Sequence, residues 1–506
     1  MALQRTVLRP LGGYEQYSSS RHSLGLYENV ITVCRYALPS ATETQVKESI
    51  RNAVRAIVLE KLPALRVGID GEDSKRPMFV ALPSLDLDDH LECVARVPGL
   101  SASEYDELLM RNLEYENARP WPDVGTRSPW RLITYLNTTD GWADLAFAVH
   151  HALGDGKSGL AFHSHLLEVL NSNGAADKSE EVGENETVLV FTEPPKLTPS
   201  QEELVKFTVS WPFFLGTLWK ELGPSWLQSA PVAGPYTGSR INLEPKLKGH
   251  LRVFHLTPKH AAALLSGCRA HSITLTALVH GLMMVLFARR FPSKVASSFS
   301  CVMPISMRPF IHAPADMALD IHRCMANLVS SHSYQYDAEA VSDGRAVAET
   351  DAEDDDKVWR AAAAVGASLK ARIAHVTEDN VLGLMAWVSD WHDWWRKQEG
   401  KAREGTWIVS NTGSISTAGT APTSGPTAKW TITRNFYTQS SQGKDSLINV
   451  NIGGVRRGEM SFIVAWHHGV VETEFANLFV EDLYSCLERY GGTGHFSVPN
   501  RLHTTY

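Results

Sequence analysis

The chain has 506 residues, is 43% hydrophobic and 21% charged, and carries a net charge of −8. That length exceeds one small core and predicts two or three packed units. The acidic balance leaves no global basic field, so nucleic acid is not an expected partner and an anionic ligand would bind through local positive groups. Cys34, Cys93, Cys268, Cys301, Cys324 and Cys486 are scattered without a C-x-x-C pair. The spacing argues against a zinc site or a disulfide framework and for reduced thiols in a cytoplasmic protein. No long apolar run opens the chain, so neither a signal peptide nor a membrane span is expected there. The sequons at Asn137 and Asn185 then read as accidental.

In chain order, ENVITVCRYAL (28–38) reads as a strand and Ser40-Ala-Thr-Glu43 as a capping box. Val46, Ile50, Val54, Ile57 and Val58 follow at helical spacing and predict an amphipathic helix over 41–62. SPWRLITYLN (128–137) is a strand. ADLAFAVHH (143–151) alternates with period two, so a strand running through it puts His151 on the face of Leu145, Phe147 and Val149. After Gly156 the period changes, and Leu160, His163, Leu166 and Leu170 fit a helix. Residues 171–200 are polar, acidic and finally proline-rich, as an exposed linker is. The aromatic stretch VKFTVSWPFFLGTLWKELGPSWLQ (205–228) follows. It reads as a crossover packed on the core, with peripheral contact to a membrane or lipid droplet as the rival. Pro212 and Gly216 break any long helix there, and a cationic face is missing.

Beyond the crossover, RVFHL is a strand and Thr257-Pro258 starts a helix. An apolar helix (272–291), a buried strand ending in Arg308-Pro309 (295–310) and a helix opened by an acidic run (351–360) come next. Strands over 404–414, 430–437, 447–454 and 460–468 precede a closing helix over 471–490. The last two strands form a hairpin. Each half mixes strands and helices, which predicts an α+β architecture of two sandwich lobes. The N-terminal lobe is 1–200, the crossover 201–230 and the C-terminal lobe 231–506.

FAVHHALGDGKSGL (147–160) concentrates the chemistry. H-x-x-x-D occurs at His151/Asp155, His312/Asp316 and His375/Asp379, and a second histidine pair at His467-His468. Only 150–156 joins both features to a trailing glycine. His375/Asp379 reads as a helical surface pair. A P-loop needs glycine where His151 stands, so that match fails. Adjacent strand histidines point to opposite faces, which disfavours a metal. General base catalysis remains: a neutral imidazole, of ordinary pKa about 6.5, takes a proton from an alcohol.

HHALGDG resembles the H-H-x-x-x-D-G motif of the CoA-dependent acyltransferases, whose superfamily includes chloramphenicol acetyltransferase, the plant BAHD enzymes and peptide-synthetase condensation domains. With LRPLGGYEQYSSSRHSLGLYENV (8–30), SPWRLITYL (128–136), VMPISMRP (302–309), ANLVS (326–330) and WIVSNTG (407–413), it is most similar to the fungal alcohol O-acetyltransferases. The D-F-G-W-G motif of the plant branch is absent, and NFYTQSS (435–441) stands in a similar place. The resemblance implies two chloramphenicol acetyltransferase-like lobes with a tunnel between them. It implies acetyl-CoA as cosubstrate with no tightly bound cofactor; the abundant tryptophan and phenylalanine fit a small, apolar alcohol or specialised metabolite as acceptor, and fit an ordinary core equally well. His151 matches the catalytic base, with no acyl-enzyme. Asp155 would pair with Arg308 in a bidentate ion pair, next to Gly156, and His150 would brace the loop. Ser410 and Asn411 are candidate donors to the oxyanion, and Tyr14, His22, Tyr437 and Gln439 candidate acceptor-pocket residues. A CoA-independent isomerase, cyclase or condensation enzyme using the same histidine is the alternative. With both lobes in one chain, a monomer is expected.

Overall fold

The computed structural model describes residues 6–502 except 95–96, 98, 173–186, 223–233, 245–247, 312–319, 418–428 and 441–444. Much of the expected linker over 171–200, together with His312, Asp316 and Asn185, lies outside the described residues.

Two sheets carry the fold. One has five strands in the order Thr431–Gln439, Val30–Ala37, Trp142–Val149, Trp130–Asn137, Leu91–Val94. The other has six, in the order Gly249–Leu256, Met460–His467, Ile448–Val455, Trp407–Ile415, Phe299–Ser306, Val329–Tyr336. Each sheet has its own core. Phe147, Phe162 and Trp130 centre the first; Phe287, Trp407 and Phe462 centre the second. This is the α+β two-lobe architecture expected of the sequence. The division at 200–231 does not divide the sheets, however. Thr431–Gln439 comes from the second half and completes the first sheet, running antiparallel to Val30–Ala37 from Thr431↔Ala37 to Gln439↔Val30. A small three-stranded sheet, Thr6–Pro10, Met78–Ala81 and Val67–Asp70, is a separate layer. Its strands, of four and five residues, are too short to show a period in sequence.

Local chemistry sets the helix boundaries. The capping box of the second helix is Thr42/Gln45, not Ser40/Glu43: the Thr42 side chain accepts from the Gln45 amide, and the Gln45 side chain accepts from the Thr42 amide at 2.9 Å. That helix is α-helical over Glu43–Ala56 and continues as a π-turn, Ile57–Lys61. The strand through VMPISMRP stops at Ser306, and Arg308 opens a short 3-10 turn, Arg308–Phe310. The expected hairpin joins Ile448–Val455 to Met460–His467. His375 ends its helix and pairs with Glu378 at 3.2 Å. Asp379 instead accepts from the Ser210 amide at 2.7 Å, so the surface pair predicted for these two residues does not form.

The aromatic crossover differs from expectation. Trp211–Leu222 is a helix of 12 residues. Pro212 sits at its second position, where no N–H is required, and Gly216 is tolerated inside. Nor is the helix packed over its length on a core. Phe214 meets Trp387 at 5.3 Å, while Trp211, Leu215, Leu218 and Trp219 are exposed. Among the described residues no single helix is long and apolar enough to cross a membrane. The bent pair Pro258–Ala270 and Leu275–Arg290 passes on length and composition, but Leu275–Arg290 is buried in the second core.

Candidate active site

The histidine motif starts where the strand Trp142–Val149 ends. The strand does not run on through His151. Instead 150–154 is a closed turn: the Leu153 amide donates to the His150 carbonyl at 2.9 Å, and the Ala152 amide donates to His150 Nδ1 at 3.0 Å. His151 Nδ1 donates to the Gly154 carbonyl at 3.1 Å. A neutral ring with its proton on Nδ1 keeps the lone pair on Nε2. Burial pulls the His151 pKa well below the ordinary histidine value and Arg21 adds to the fall, outweighing the opposite pull of Asp155. The ring is therefore uncharged at neutral pH. It is half-buried and opens on a cavity of about 410 Å³ between the two sheets.

Asp155 organises the other side of the turn. It is the N-cap of the helix Gly156–Asn171, its Oδ1 accepting the Ser158 amide at 3.0 Å. Its Oδ2 accepts from Arg308 Nη1 at 2.6 Å and from the Leu328 amide at 3.2 Å. Burial pushes the carboxyl up, but the Arg308 charge and these hydrogen bonds hold it below its ordinary value. The Arg308 contact is not the expected bidentate one. Nη2 reaches the Ser158 hydroxyl and the Ala326 carbonyl, and Nε reaches the Ile321 carbonyl, so one guanidinium ties three segments together. Gly156 meets the opposite lobe so closely that a Cβ would lie 2.7 Å from Thr412 Cγ2.

Of the other residues singled out in sequence, Tyr14, Ser410, Asn411, Tyr437 and Gln439 line the cavity with His151. Burial pushes the Tyr437 phenol up, and the Ser410 hydroxyl beside it opposes the rise. Asn411 is already engaged, donating to Thr276 at 3.3 Å and accepting from the Gly413 amide at 2.8 Å. His22 does not join them. The helix Gly13–Ser23 turns Tyr14, Tyr17 and Arg21 toward the cavity, and His22 lies about 100° round from Arg21. It bonds Glu72 instead, with Nδ1 at 2.9 Å.

Sequence reasoning missed four residues. Arg21 stacks on Tyr17 and Tyr27 at 4.5 and 4.4 Å and lines the cavity. Lys157, also on the cavity wall, donates to the Thr412 carbonyl at 2.5 Å across the lobes. Ser158 has a readable signal, since D-x-x-S is the spacing of an N-cap and its N3 partner. Glu72 has none.

Comparison with known proteins places the chain in a family. The model of the alcohol acetyltransferase family matches residues 116–488. The probable alcohol acetyltransferase FCK4 of Fusarium pseudograminearum is 28% identical, with 98% of each chain covered. The probable alcohol acetyltransferase crmB of Aspergillus fumigatus is 24% identical, covering 95% of this chain and 99% of its own. The fold is shared with the trichothecene 15-O-acetyltransferase TRI3 of Fusarium sporotrichioides, at a TM-score of 0.66 and 10% identity over 95% of this chain and 94% of that one. It is shared too with the first condensation domain of the calcium-dependent antibiotic synthetase, at a TM-score of 0.59 and 13% identity over 97% of each. With the family match spanning well over half the sequence, the chain belongs to the alcohol acetyltransferase family, and with it to the acyltransferases.

Proposed function

We propose that the protein transfers the acetyl group of acetyl-CoA to the hydroxyl of a small, apolar alcohol, with His151 as general base. The observation that carries this reading is the His151 ring: its Nδ1 proton is held by Gly154, and it lines a cavity walled by both lobes. Nε2 accepts the hydroxyl proton as the alcohol oxygen attacks the thioester carbonyl. The tetrahedral oxyanion then needs a donor, and Ser410 and Asn411, both on the cavity wall, are the two candidates. Asn411 has an amide proton committed to Thr276. Collapse expels the CoA thiolate, which takes the proton back from the imidazolium. No covalent acyl-enzyme forms. Val302, Ile408, Leu382 and Met385 on the cavity wall support an apolar acceptor.

The test is acetyl transfer from isotopically labelled acetyl-CoA to a panel of alcohols, followed by mass spectrometry. His151→Ala is expected to lose about 10²–10⁴-fold in kcat, the usual contribution of a general base. Intact protein exposed to acetyl-CoA is expected to show no acetyl adduct. Turnover that survives in folded His151→Ala overturns the mechanism. Chemistry on the acceptor without CoA would favour the isomerase, cyclase or condensation alternative.

A further inference from the structure

Glu72 sits outside the cavity, on the turn between the strands Val67–Asp70 and Met78–Ala81, where Gly71 takes a φ of +63°. Its carboxylate is received by two elements far away in sequence. Oε1 lies 3.0 Å from His150 Nε2 and 3.1 Å from the Ser19 hydroxyl. Oε2 lies 2.9 Å from His22 Nδ1.

The donor and acceptor roles follow from the far side of each ring. His150 Nδ1 accepts the Ala152 amide proton at 3.0 Å, so its own proton is on Nε2 and faces Glu72. His22 Nε2 receives the Trp121 amide at 3.1 Å and lies 3.1 Å from Glu28 Oε2; carboxylates on both sides of the ring raise its pKa although burial opposes, and in either protonation state a proton on Nδ1 faces Glu72. One ionised carboxylate therefore collects an N–H on each oxygen and a hydroxyl besides. These bonds draw the Glu72 carboxyl far below its ordinary value although burial opposes them.

His22, Glu72 and His150 have the composition of a metal cluster, with donor atoms within 4.8 Å of one another. The tautomers speak against that reading. A cation between these groups would meet two N–H protons, and each ring's other nitrogen is already an acceptor of a backbone amide. The set is a closed hydrogen-bond junction.

We propose that Glu72 is a positioning residue for the base, acting through His150. The carboxylate fixes the His150 ring and its tautomer. That tautomer lets Nδ1 accept the Ala152 amide, which shapes the turn from which His151 reaches the Gly154 carbonyl. The three-stranded sheet gains a role: it carries the carboxylate to the motif. His150, the first histidine of the pair, transmits orientation and does not exchange protons with substrate. The inference rests on His151 being the base.

The test compares Glu72→Ala with Glu72→Gln in the full-length protein. Glu72→Gln keeps one carbonyl oxygen for the His150 N–H; Glu72→Ala keeps none. Glu72→Ala is expected to lower kcat by up to about 100-fold, as a small misplacement of a catalytic group does, with both KM values moving less than about twofold. Glu72→Gln is expected to recover most of the loss. Long-range proton–nitrogen spectra of histidine-labelled protein read the junction without substrate. His150 carries its proton on Nε2 in the wild type and is expected to lose that single tautomer in Glu72→Ala. Because those spectra need no acetyl transfer, the junction can fail or hold independently of the proposed reaction. Unchanged spectra in folded Glu72→Ala overturn the proposal. So does a kcat near wild type, equal damage in both variants, or stoichiometric zinc that Glu72→Ala removes.

Discussion

At the scale of single residues, the decisive fact about His151 is that its environment keeps it uncharged. Burial and the Arg21 guanidinium both disfavour the imidazolium, and Asp155, engaged by Arg308, does not restore it. A base is active when unprotonated, so lowering its pKa extends activity toward acid. The acid limb of kcat/KM is expected to lie below the ordinary histidine value of about 6.5, and Arg21→Met is expected to move that limb upward. A pH–rate profile of the two proteins checks both. A limb at the ordinary value, unmoved by the substitution, would mean that the titrating group is not this ring. The same desolvation has a cost in stability. As pH falls below about 6.5, an unfolded chain takes up a proton that the folded ring refuses, so folding weakens.

At the scale of elements, the N-terminus of Gly156–Asn171 is the joint on which the site turns. Asp155 caps that helix and meets Arg308 with both side chains buried. Asp155→Asn keeps a capping oxygen but leaves the guanidinium without its countercharge, a loss of roughly 3–5 kcal/mol. Urea denaturation measures it, and Asp155→Asn/Arg308→Met is expected to lose less than Asp155→Asn. A midpoint equal to wild type in Asp155→Asn would show that the pair holds nothing together. Because the Asp155 pKa is depressed, this stabilisation is complete above about pH 4 and disappears as pH falls through the folded value. Much of this joint was legible in the sequence. The strand, the turn and the following helix announce themselves by a change of hydrophobic period, and the Asp155–Arg308 pairing is implied by family resemblance. Sequence could not show that His22 turns away from the cavity, because one position on a helix changes the facing by about 100°. Nor could it show Glu72, which reaches His150 across 78 positions from a turn without a motif.

At the scale of the whole molecule, the exchange of the strand Thr431–Gln439 governs how the halves depend on each other. Residues 1–200 alone would leave the edge of Val30–Ala37 unpaired, although six of its eight side chains are buried. Such an edge invites association with other chains. That fragment is therefore expected to aggregate when expressed alone and to become soluble as an equimolar complex when coexpressed with residues 231–506. Size-exclusion chromatography separates the outcomes, and a monomeric 1–200 fragment with cooperative unfolding would refute the dependence. The exchange also limits motion. The backbone crosses between the sheets three times, and Asn435 of the swapped strand hydrogen-bonds the Gly454 carbonyl of the opposite sheet at 3.2 Å. Swinging the halves apart like a clamshell would pull on all three connections and break the Asn435 bond. The halves are thus stitched together by the chain itself, and the cavity between them is walled by segments that cannot part without straining those stitches.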